Sequence, residues 1–157
     1  MGGAKGLVGA DGGQGEWVYQ YRAVDKFGKT LDFMLSKRRN KKAATRFFAR
    51  ALEVNGLPRK IVIDKNGENT AGITEIKRML KRFGCPIVIE MLRSKYLNNM
   101  IEQDHRSIKK RIRPMLGLKS FTPASARLEG IEVANMIRKG QMTPGRCPLA
   151  QFAALAA

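Results

Sequence analysis

Two runs of strand-forming residues stand near the start of the chain. "EWVYQYRAV" (16–24) and "KTLDFMLSK" (29–37) contain aromatic and β-branched side chains, which favour strands. Asp25 and Gly28 lie between the runs and favour a turn. The pattern therefore predicts a β-hairpin.

Apolar residues with helical spacing follow the hairpin. In "NKKAATRFFARALEVNGLP" (40–58) they form one stripe with the three- and four-residue spacing of a helix. Asn40 is a favourable N-terminal cap, and Gly56 and Pro58 favour a C-terminal end. The segment predicts a helix between Asn40 and Gly56.

The same spacing predicts two further helices. One extends from about Thr70 to Phe83 and is ended by Gly84 and Pro86. Its predicted apolar face consists of Ile73, Ile76, Leu80 and Phe83. The other extends over about 123–139, and its apolar residues are Leu128, Ile131, Ala134 and Met136.

Two short apolar runs predict strands between these helices. "KIVID" (60–64) has the composition of a strand buried on both faces, and "PIVIEML" (86–92) is a second strand. Asp64 ends the first run, and ligands of open α/β sheets usually bind at the carboxyl ends of strands. Asp64 is therefore a candidate site residue.

A helical pattern from Asn98 to about Arg113 supplies a second acidic candidate. Ile101, Ile108 and Ile112 form one stripe of this helix, and Glu102 lies on the adjacent stripe. The element order is hairpin, helix, strand, helix, strand, helix, helix, which predicts an α/β fold. In such a fold Asp64 and Glu102 could meet in one cleft.

The charge of the chain points to a polyanionic partner. Its 157 residues fit one domain, and 30 lysines and arginines against 13 acidic residues leave a net charge of +17. Nucleic acid is favoured over anionic membrane, because the basic residues are spread along the chain without a basic amphipathic helix. With two cysteines, no signal-peptide pattern and no apolar run long enough to span a membrane, we expect a reducing, cytoplasmic setting.

Two carboxylates in a strongly basic chain are suited to one kind of chemistry. Mg²⁺ takes few protein ligands and leaves its other positions to water and phosphate oxygens. Asp64 and Glu102 are therefore candidate ligands of Mg²⁺, and the basic residues would hold DNA.

Several blocks of the sequence resemble a known family. "YRAVDKFGKTLDFMLSKRRNKKAATRFF", "IVIDKNG", "KYLNNMIEQDHRSIKKRIRPMLGLKSF" and "GIEVANMIRKGQ" are similar to the catalytic domain of insertion-sequence-six-family transposases. That family belongs to the three-carboxylate superfamily with a ribonuclease-H-like fold, which includes retroviral integrases. The resemblance covers residues 16–141, between a glycine-rich, non-homologous segment (1–15) and a C-terminal tail (142–157).

The resemblance implies roles for particular residues. Asp64 and Glu102 match the second and third catalytic carboxylates, which hold Mg²⁺ or Mn²⁺, and Lys109 matches a basic residue that contacts the DNA backbone. The implied partner is DNA, as transposon ends and as target, with a homo-oligomer or pairing with a full-length transposase also possible. The further DNA contacts expected in this block are Lys95, Asn98, Asn99, His105, Lys110, Arg111 and Arg113.

The family's first carboxylate has no match in this chain. The family carries it in an Asp-Glu-Thr-Tyr motif on a central strand, about ten residues before the position of Trp17, where this chain has Leu7. The surrounding "GGAKGLVGADGGQGE" is a poor strand former, so the first central strand is expected to be missing. Asp25 is expected to be a turn residue, and Asp11 could reach the site only if its segment entered the sheet as a strand.

Three functional hypotheses remain from the sequence. The first is a transposase catalytic domain for metal-dependent DNA cleavage and strand transfer that is truncated and inactive. The alternative is a non-catalytic, basic DNA-binding or interaction remnant of a transposase, and metal-dependent strand cleavage distinguishes the two. A generic nucleic-acid-binding domain would explain the charge but not the order of the family blocks.

Overall fold

The computed structural model describes residues 5–7, 18–63, 67–85, 88–93, 103, 106, 110 and 121–142. Within them it forms a mixed α/β fold, as predicted, with an antiparallel three-stranded sheet and a parallel two-stranded sheet. The elements, in chain order, are β1 (Lys5–Leu7), β2 (Val18–Val24), β3 (Thr30–Ser36), α1 (Lys41–Asn55), β4 (Lys60–Ile63), α2 (Gly67–Arg82), β5 (Glu90–Arg93) and α3 (Phe121–Arg138).

The predicted hairpin is confirmed as β2 and β3. The two strands pair antiparallel from Tyr19 opposite Ser36 to Val24 opposite Thr30. The turn between them is built by the carboxylate of Asp25, which accepts hydrogen bonds from the backbone N–H groups of Phe27 (2.8 Å) and Lys29 (2.9 Å). Asp25 is thus a turn residue, as expected.

A short strand is present where the sequence predicts none. β1 pairs antiparallel with β2, with Lys5 opposite Gln20 and Leu7 opposite Val18. The expectation of a missing first strand is therefore wrong for residues 5–7, because pairing with an available strand edge outweighs the low strand propensity of glycine. In the described part of the chain, no ladder joins β1 to β4, so the expected gap between the hairpin and the parallel pair remains there.

The predicted strands at "KIVID" and "PIVIEML" are present as a parallel pair, with two corrections. Ile61 and Ile63 are fully buried while Val62 is half-buried, so β4 buries one face rather than both. The second strand begins at Glu90, later than predicted, and the Val88 side chain is 81% exposed. Only residues 90–93 run alongside β4, and of the two apolar residues before this ladder Ile89 is buried in the core whereas Val88 is not.

Helix α1 has the predicted ends. The side chain of Asn40 accepts a hydrogen bond from the N–H of Ala43 (2.9 Å), and Gly56 follows the last turn with a φ of 78°. A left-handed φ of this kind favours glycine, because a β-carbon would be strained there. The residues buried by α1 are those of the predicted stripe: Ala44, Phe47, Phe48, Ala51 and Leu52.

Helix α2 packs against α1 and differs from its prediction at both ends. It begins at Gly67 rather than at Thr70 and ends at Arg82. Phe83, predicted on the buried face, is 84% exposed, because it lies in the turn after the helix, where helical spacing no longer decides direction. Ile73 and Ile76 are buried in the core as predicted.

The main hydrophobic core lies between the first sheet and helices α1 and α2. Tyr21 and Ala23 point from β2 toward α1, and the Tyr21 ring lies 5.6 Å from the Phe47 ring, centroid to centroid. Ile61 and Ile63 of β4 belong to the same buried cluster. This core fixes the positions of the strands that carry the candidate site.

Helix α3 buries the predicted Leu128 and also Ile137, together with two polar residues that the apolar pattern does not predict. Ala134, predicted among its apolar residues, is exposed, while Glu132 and Asn135 are fully buried. The physical reason is a polar partner set on β2. The Glu132 carboxylate lies 3.1 Å from the Arg22 guanidinium and accepts a hydrogen bond from the Gln20 amide (2.8 Å).

Candidate nucleic-acid interface and catalytic edge

The predicted catalytic carboxylates lie outside the described residues. Asp64 is the residue after Ile63, the last residue of β4, and Ile63 pairs with Arg93 at the end of β5. The carboxyl ends of β4 and β5 therefore share one edge of their parallel sheet. Glu102 also lies outside the described residues, so its distance from Asp64 stays a prediction.

Three residues near Glu102 are described. Gln103, Arg106 and Lys110 are helical and exposed, in agreement with the helix predicted over 98–113. Lys110 is one of the predicted DNA contacts, and its exposure satisfies the first requirement for that role. The other predicted DNA contacts lie outside the described residues: Lys95, Asn98, Asn99, His105, Lys109, Arg111 and Arg113.

Within the described ranges, no three histidine, cysteine or acidic side chains lie close enough together to hold a metal ion. The two carboxylates implied as ligands are not among them. The metal site consequently stays a prediction.

A basic groove opens where β3 leads into α1. Its volume is about 400 Å³, and its walls carry the side chains of Lys37, Arg38, Lys42 and Arg46, with Met34 among the apolar residues beside them. All four basic residues are exposed, whereas Met34 is 7% exposed. We call this feature the basic groove.

The sequence prediction does not include the basic groove. A local signal for it exists in "KRRNKK" (37–42), which places five basic residues in six positions. Charge density alone does not distinguish a binding surface from a solvated one. The fold adds that three of these five residues, Lys37, Arg38 and Lys42, line a concavity.

Nearby carboxylates neutralise some of the surrounding basic residues. Lys41 donates a hydrogen bond to Glu75 of α2 (2.7 Å), and Arg50 forms a two-bond ion pair with Asp32 (2.7 and 2.9 Å). The hydrogen bonds from Lys41 and then Arg78 hold the pKa of Glu75 below its ordinary value of 4.5. Glu75 is thus engaged by two cations and tied to the α1–α2 contact.

Within the part of the chain that the structure describes, no carboxylate forms an ion pair with four other exposed cations around the groove: Arg38, Arg39, Lys42 and Arg46. Tyr21 is buried near this segment. Burial raises its pKa, while the guanidinium of Arg39 and the backbone of Asn40 oppose the rise.

The block "GIEVANMIRKGQ" (130–141) fastens α3 to the hairpin. Besides Glu132, Lys139 donates a hydrogen bond to the carbonyl of Gly28 (2.7 Å). The amide of Gln141 accepts from the N–H of Thr30 (2.9 Å) and donates to its carbonyl (3.0 Å). This block therefore stabilises the end of the hairpin that carries the turn.

None of the helices in the described ranges is both long and apolar enough to cross a membrane.

Comparison with known proteins relates this arrangement to transposases. Residues 13–141 match a family model described as a DDE domain, of the IS240 transposase type. The chain is 37% identical over 120 residues to the transposase for insertion sequence-like element IS431mec of Staphylococcus aureus, a match over 76% of this chain and 50% of the relative. The transposase for insertion sequence element IS257 in transposon Tn4003, also of Staphylococcus aureus, gives the same values.

A third relative is shorter. It is the uncharacterized protein pYV0051 of Yersinia pseudotuberculosis, which is 38% identical over 74 residues, or 45% of this chain and 69% of that protein. The chain spans about half the length of the staphylococcal transposases it matches. The family match covers most of the chain, and the chain belongs to the DDE-domain family of insertion-sequence transposases, within the insertion-sequence-six family.

Proposed function

We propose that this chain is the DNA-binding catalytic core of a transposase, with a metal site that lacks one of its three carboxylates. The observation that carries the proposal is the DDE-domain match over residues 13–141. Asp64 and Glu102 would be the two metal ligands, and the basic residues from Lys95 to Arg113 would hold the phosphodiester backbone.

The strand arrangement supports a ribonuclease-H-like core. An antiparallel set in the order β1-β2-β3 and a parallel pair β4-β5 are the two parts of such a sheet. In that fold the first strand lies between the hairpin and the parallel pair. We infer that β1 takes this position, which would set its carboxyl end beside Asp64.

In the proposed chemistry, the metal ion and the side chains of this protein have different roles. Mg²⁺ or Mn²⁺, when bound, stabilises charge on the attacking and leaving oxygens of an in-line phosphoryl transfer. Asp64 and Glu102 would orient the ion, and two carboxylates at close range create a demand for a cation. The role of Lys109 and Lys110 would be to hold the DNA backbone against this site.

The sequence of β1 argues against strand transfer by the chain as it stands. β1 consists of Lys5, Gly6 and Leu7 and contains no carboxylate. Two ligands without the third would hold metal weakly and leave the arrangement around the reacting phosphate incomplete. We expect Mn²⁺ to bind but strand transfer on transposon-end DNA to be undetectable.

The test combines metal binding with a DNA assay. Mn²⁺ affinity should fall in Asp64→Asn and in Glu102→Gln, and should rise in Leu7→Asp, which supplies a carboxylate at the matched position. Gly6→Asp is the matched control, because it adds the same charge one residue earlier in β1. Mn²⁺ affinity that neither Asp64→Asn nor Glu102→Gln changes would refute the metal site, and strand transfer by the unaltered chain would refute its inactivity.

The second candidate function is a non-catalytic one, and the absence of a carboxylate from β1 favours it. The chain would bind DNA, or pair with a full-length relative, without cutting. Mixing it with an active relative should then lower the relative's strand-transfer rate. If the rate is unchanged at excess chain, this candidate is excluded.

A further inference from the structure

We propose that the basic groove binds the backbone of double-stranded DNA and guides it past the carboxyl ends of β1 and β3. This is a second DNA surface, separate in sequence from the predicted contacts at 95–113. The inference rests on the proposed function, since it names a further part of the same DNA path.

The strand register sets the groove beside the carboxyl end of β1. Leu7 pairs with Val18, and Ser36, which lines the groove, pairs with the next residue of β2, Tyr19. β1 and β3 are both antiparallel to β2, so they run parallel and end at the same edge. Neighbouring strands lie about 4.8 Å apart, so the backbones of Leu7 and Ser36 are about 10 Å apart.

This distance connects the groove to the proposed reaction site. Leu7 occupies the position that the family resemblance gives to the first catalytic carboxylate. A DNA strand whose phosphates contact Lys37 and Arg38 would therefore lie within a few nucleotides of that position. The groove is placed to align DNA with the carboxyl ends of the strands.

Helix stability does not account for the lysine at position 42 of the groove. Lys42 lies in the first turn of α1, which contains no acidic residue. A positive charge there opposes the helix dipole and costs about 0.3–1 kcal/mol at an exposed position. Lys41 next to it is offset by its ion pair with Glu75, whereas no carboxylate in the described part of the chain offsets Lys42. Functional sites are one of the places where locally unfavourable residue types are expected, which supports a binding role for Lys42.

The shape and charge of the groove suit a phosphate backbone. Lys42 and Arg46 are four residues apart, so they lie on one face of α1, about 6 Å apart along its axis. Arg38, two residues after the end of β3, also lines the groove. Three exposed cations around an open concavity can contact consecutive phosphates without reading bases, and such contacts give affinity that is independent of sequence.

The experiment compares two variants of equal charge. The groove variant carries Arg38→Gln, Lys42→Gln and Arg46→Gln, and the control variant carries Lys26→Gln, Lys81→Gln and Arg82→Gln. All six positions are exposed, so both variants should fold. Lys26 lies in the hairpin turn at the other end of β2 and β3, and Lys81 and Arg82 lie at the end of α2.

The readout is the affinity for a labelled DNA duplex of random sequence over a series of salt concentrations. Each lost phosphate contact lowers the slope of log affinity against log salt by about 0.9, so the groove variant should lose about 2 to 3 and the control variant less than about 1. Equal slopes for the two variants would overturn the groove while leaving DNA binding intact. A wild-type chain that binds no duplex would overturn the proposed function itself, and binding of RNA alone would overturn the choice of partner.

A footprint on the unaltered chain provides an independent measurement. With excess duplex, chemical acetylation of Lys37 and Lys42 should slow at least several-fold, while that of Lys26 and Lys81 should not change. Mass spectrometry of the digested protein separates these lysines. Protection of Lys81 without protection of Lys42 would contradict the proposal.

Discussion

At the scale of single residues, the feature with the largest expected effect on stability is the buried ion pair of Arg22 and Glu132. Both side chains are fully buried, and Arg22 also donates a hydrogen bond to the hydroxyl of Thr30 (2.7 Å). A buried ion pair is weak evidence for stability, because the cost of removing two charges from water offsets much of their attraction. Removing only one of the two side chains is strongly destabilising, because the remaining charge then stays buried without its counter-charge.

Glu132→Gln should lower the free energy of unfolding by about 3–5 kcal/mol, because the guanidinium of Arg22 loses the carboxylate that faces it. Urea denaturation at neutral pH measures the effect. Glu129→Gln is the matched control: Glu129 lies on the same helix, is exposed, and faces only Ser125 (3.2 Å) among the contacts described. It should cost less than about 0.5 kcal/mol. If the two substitutions cost the same, Arg22 and Glu132 are not coupled in solution.

At the scale of secondary-structure elements, the contact between α1 and α2 depends on a glycine. A β-carbon built on Gly72 would lie 2.7 Å from the β-carbon of Ala44 and 3.0 Å from the backbone nitrogen of Thr45. β-Carbons are essentially never found as close to another heavy atom as the first distance, and part of the obstruction is backbone, which cannot rotate away as a side chain can. The two helices therefore approach more closely than any other residue at position 72 would allow.

Gly72→Ala should destabilise the fold by about 1–3 kcal/mol, although alanine is the better helix former by about 1 kcal/mol. The steric cost exceeds the gain in helix propensity, because α1 and α2 would have to move apart to make room for the added methyl group. Gly130→Ala tests the opposite case, since nothing lies within 4 Å of a β-carbon at Gly130 in the middle of α3. It should stabilise by up to about 1 kcal/mol. Thermal unfolding followed by circular dichroism compares the two, and a stabilising Gly72→Ala would show that the contact is looser than described.

At the scale of the whole molecule, charge dominates the expected behaviour. A net charge of +17 on 157 residues attracts any polyanion and favours DNA binding that depends on the backbone rather than on base sequence. The two basic segments, one around the groove and one at 95–113, divide this charge between different elements. Their contributions to the salt dependence should therefore add.

Neutralising Lys109, Lys110 and Arg113 to glutamine should lower the slope of log affinity against log salt by about 2 to 3, through lost counterion release. Affinity should be the same for transposon-end DNA and for a scrambled duplex of equal length. Fluorescence anisotropy across a salt series measures both quantities. An unchanged slope would place the DNA surface away from this segment, and a clear preference for end DNA would contradict backbone-dominated binding.

The local elements of this protein could be predicted from sequence alone. The hairpin turn follows from Asp25 and Gly28, and helix α1 follows from its apolar stripe between Asn40 and Gly56, because these features depend on nearest neighbours and on a regular period. The family follows from several blocks in register, which the match over residues 13–141 confirms. The metal and DNA roles of residues 64 and 95–113 remain predictions for which the sequence is the only source.

Features that depend on residues far apart in the sequence were decided only by the tertiary structure. The strand at Lys5–Leu7 forms despite its glycine because β2 offers an edge to pair with, and Glu132 of α3 is buried because Gln20 and Arg22 of β2 contact its carboxylate. The basic groove, likewise, exists only where β3 and α1 meet. A pattern of apolar and polar positions records each residue's own preference for water, but a buried carboxylate or a paired glycine strand is stable only through a partner that lies far away along the chain.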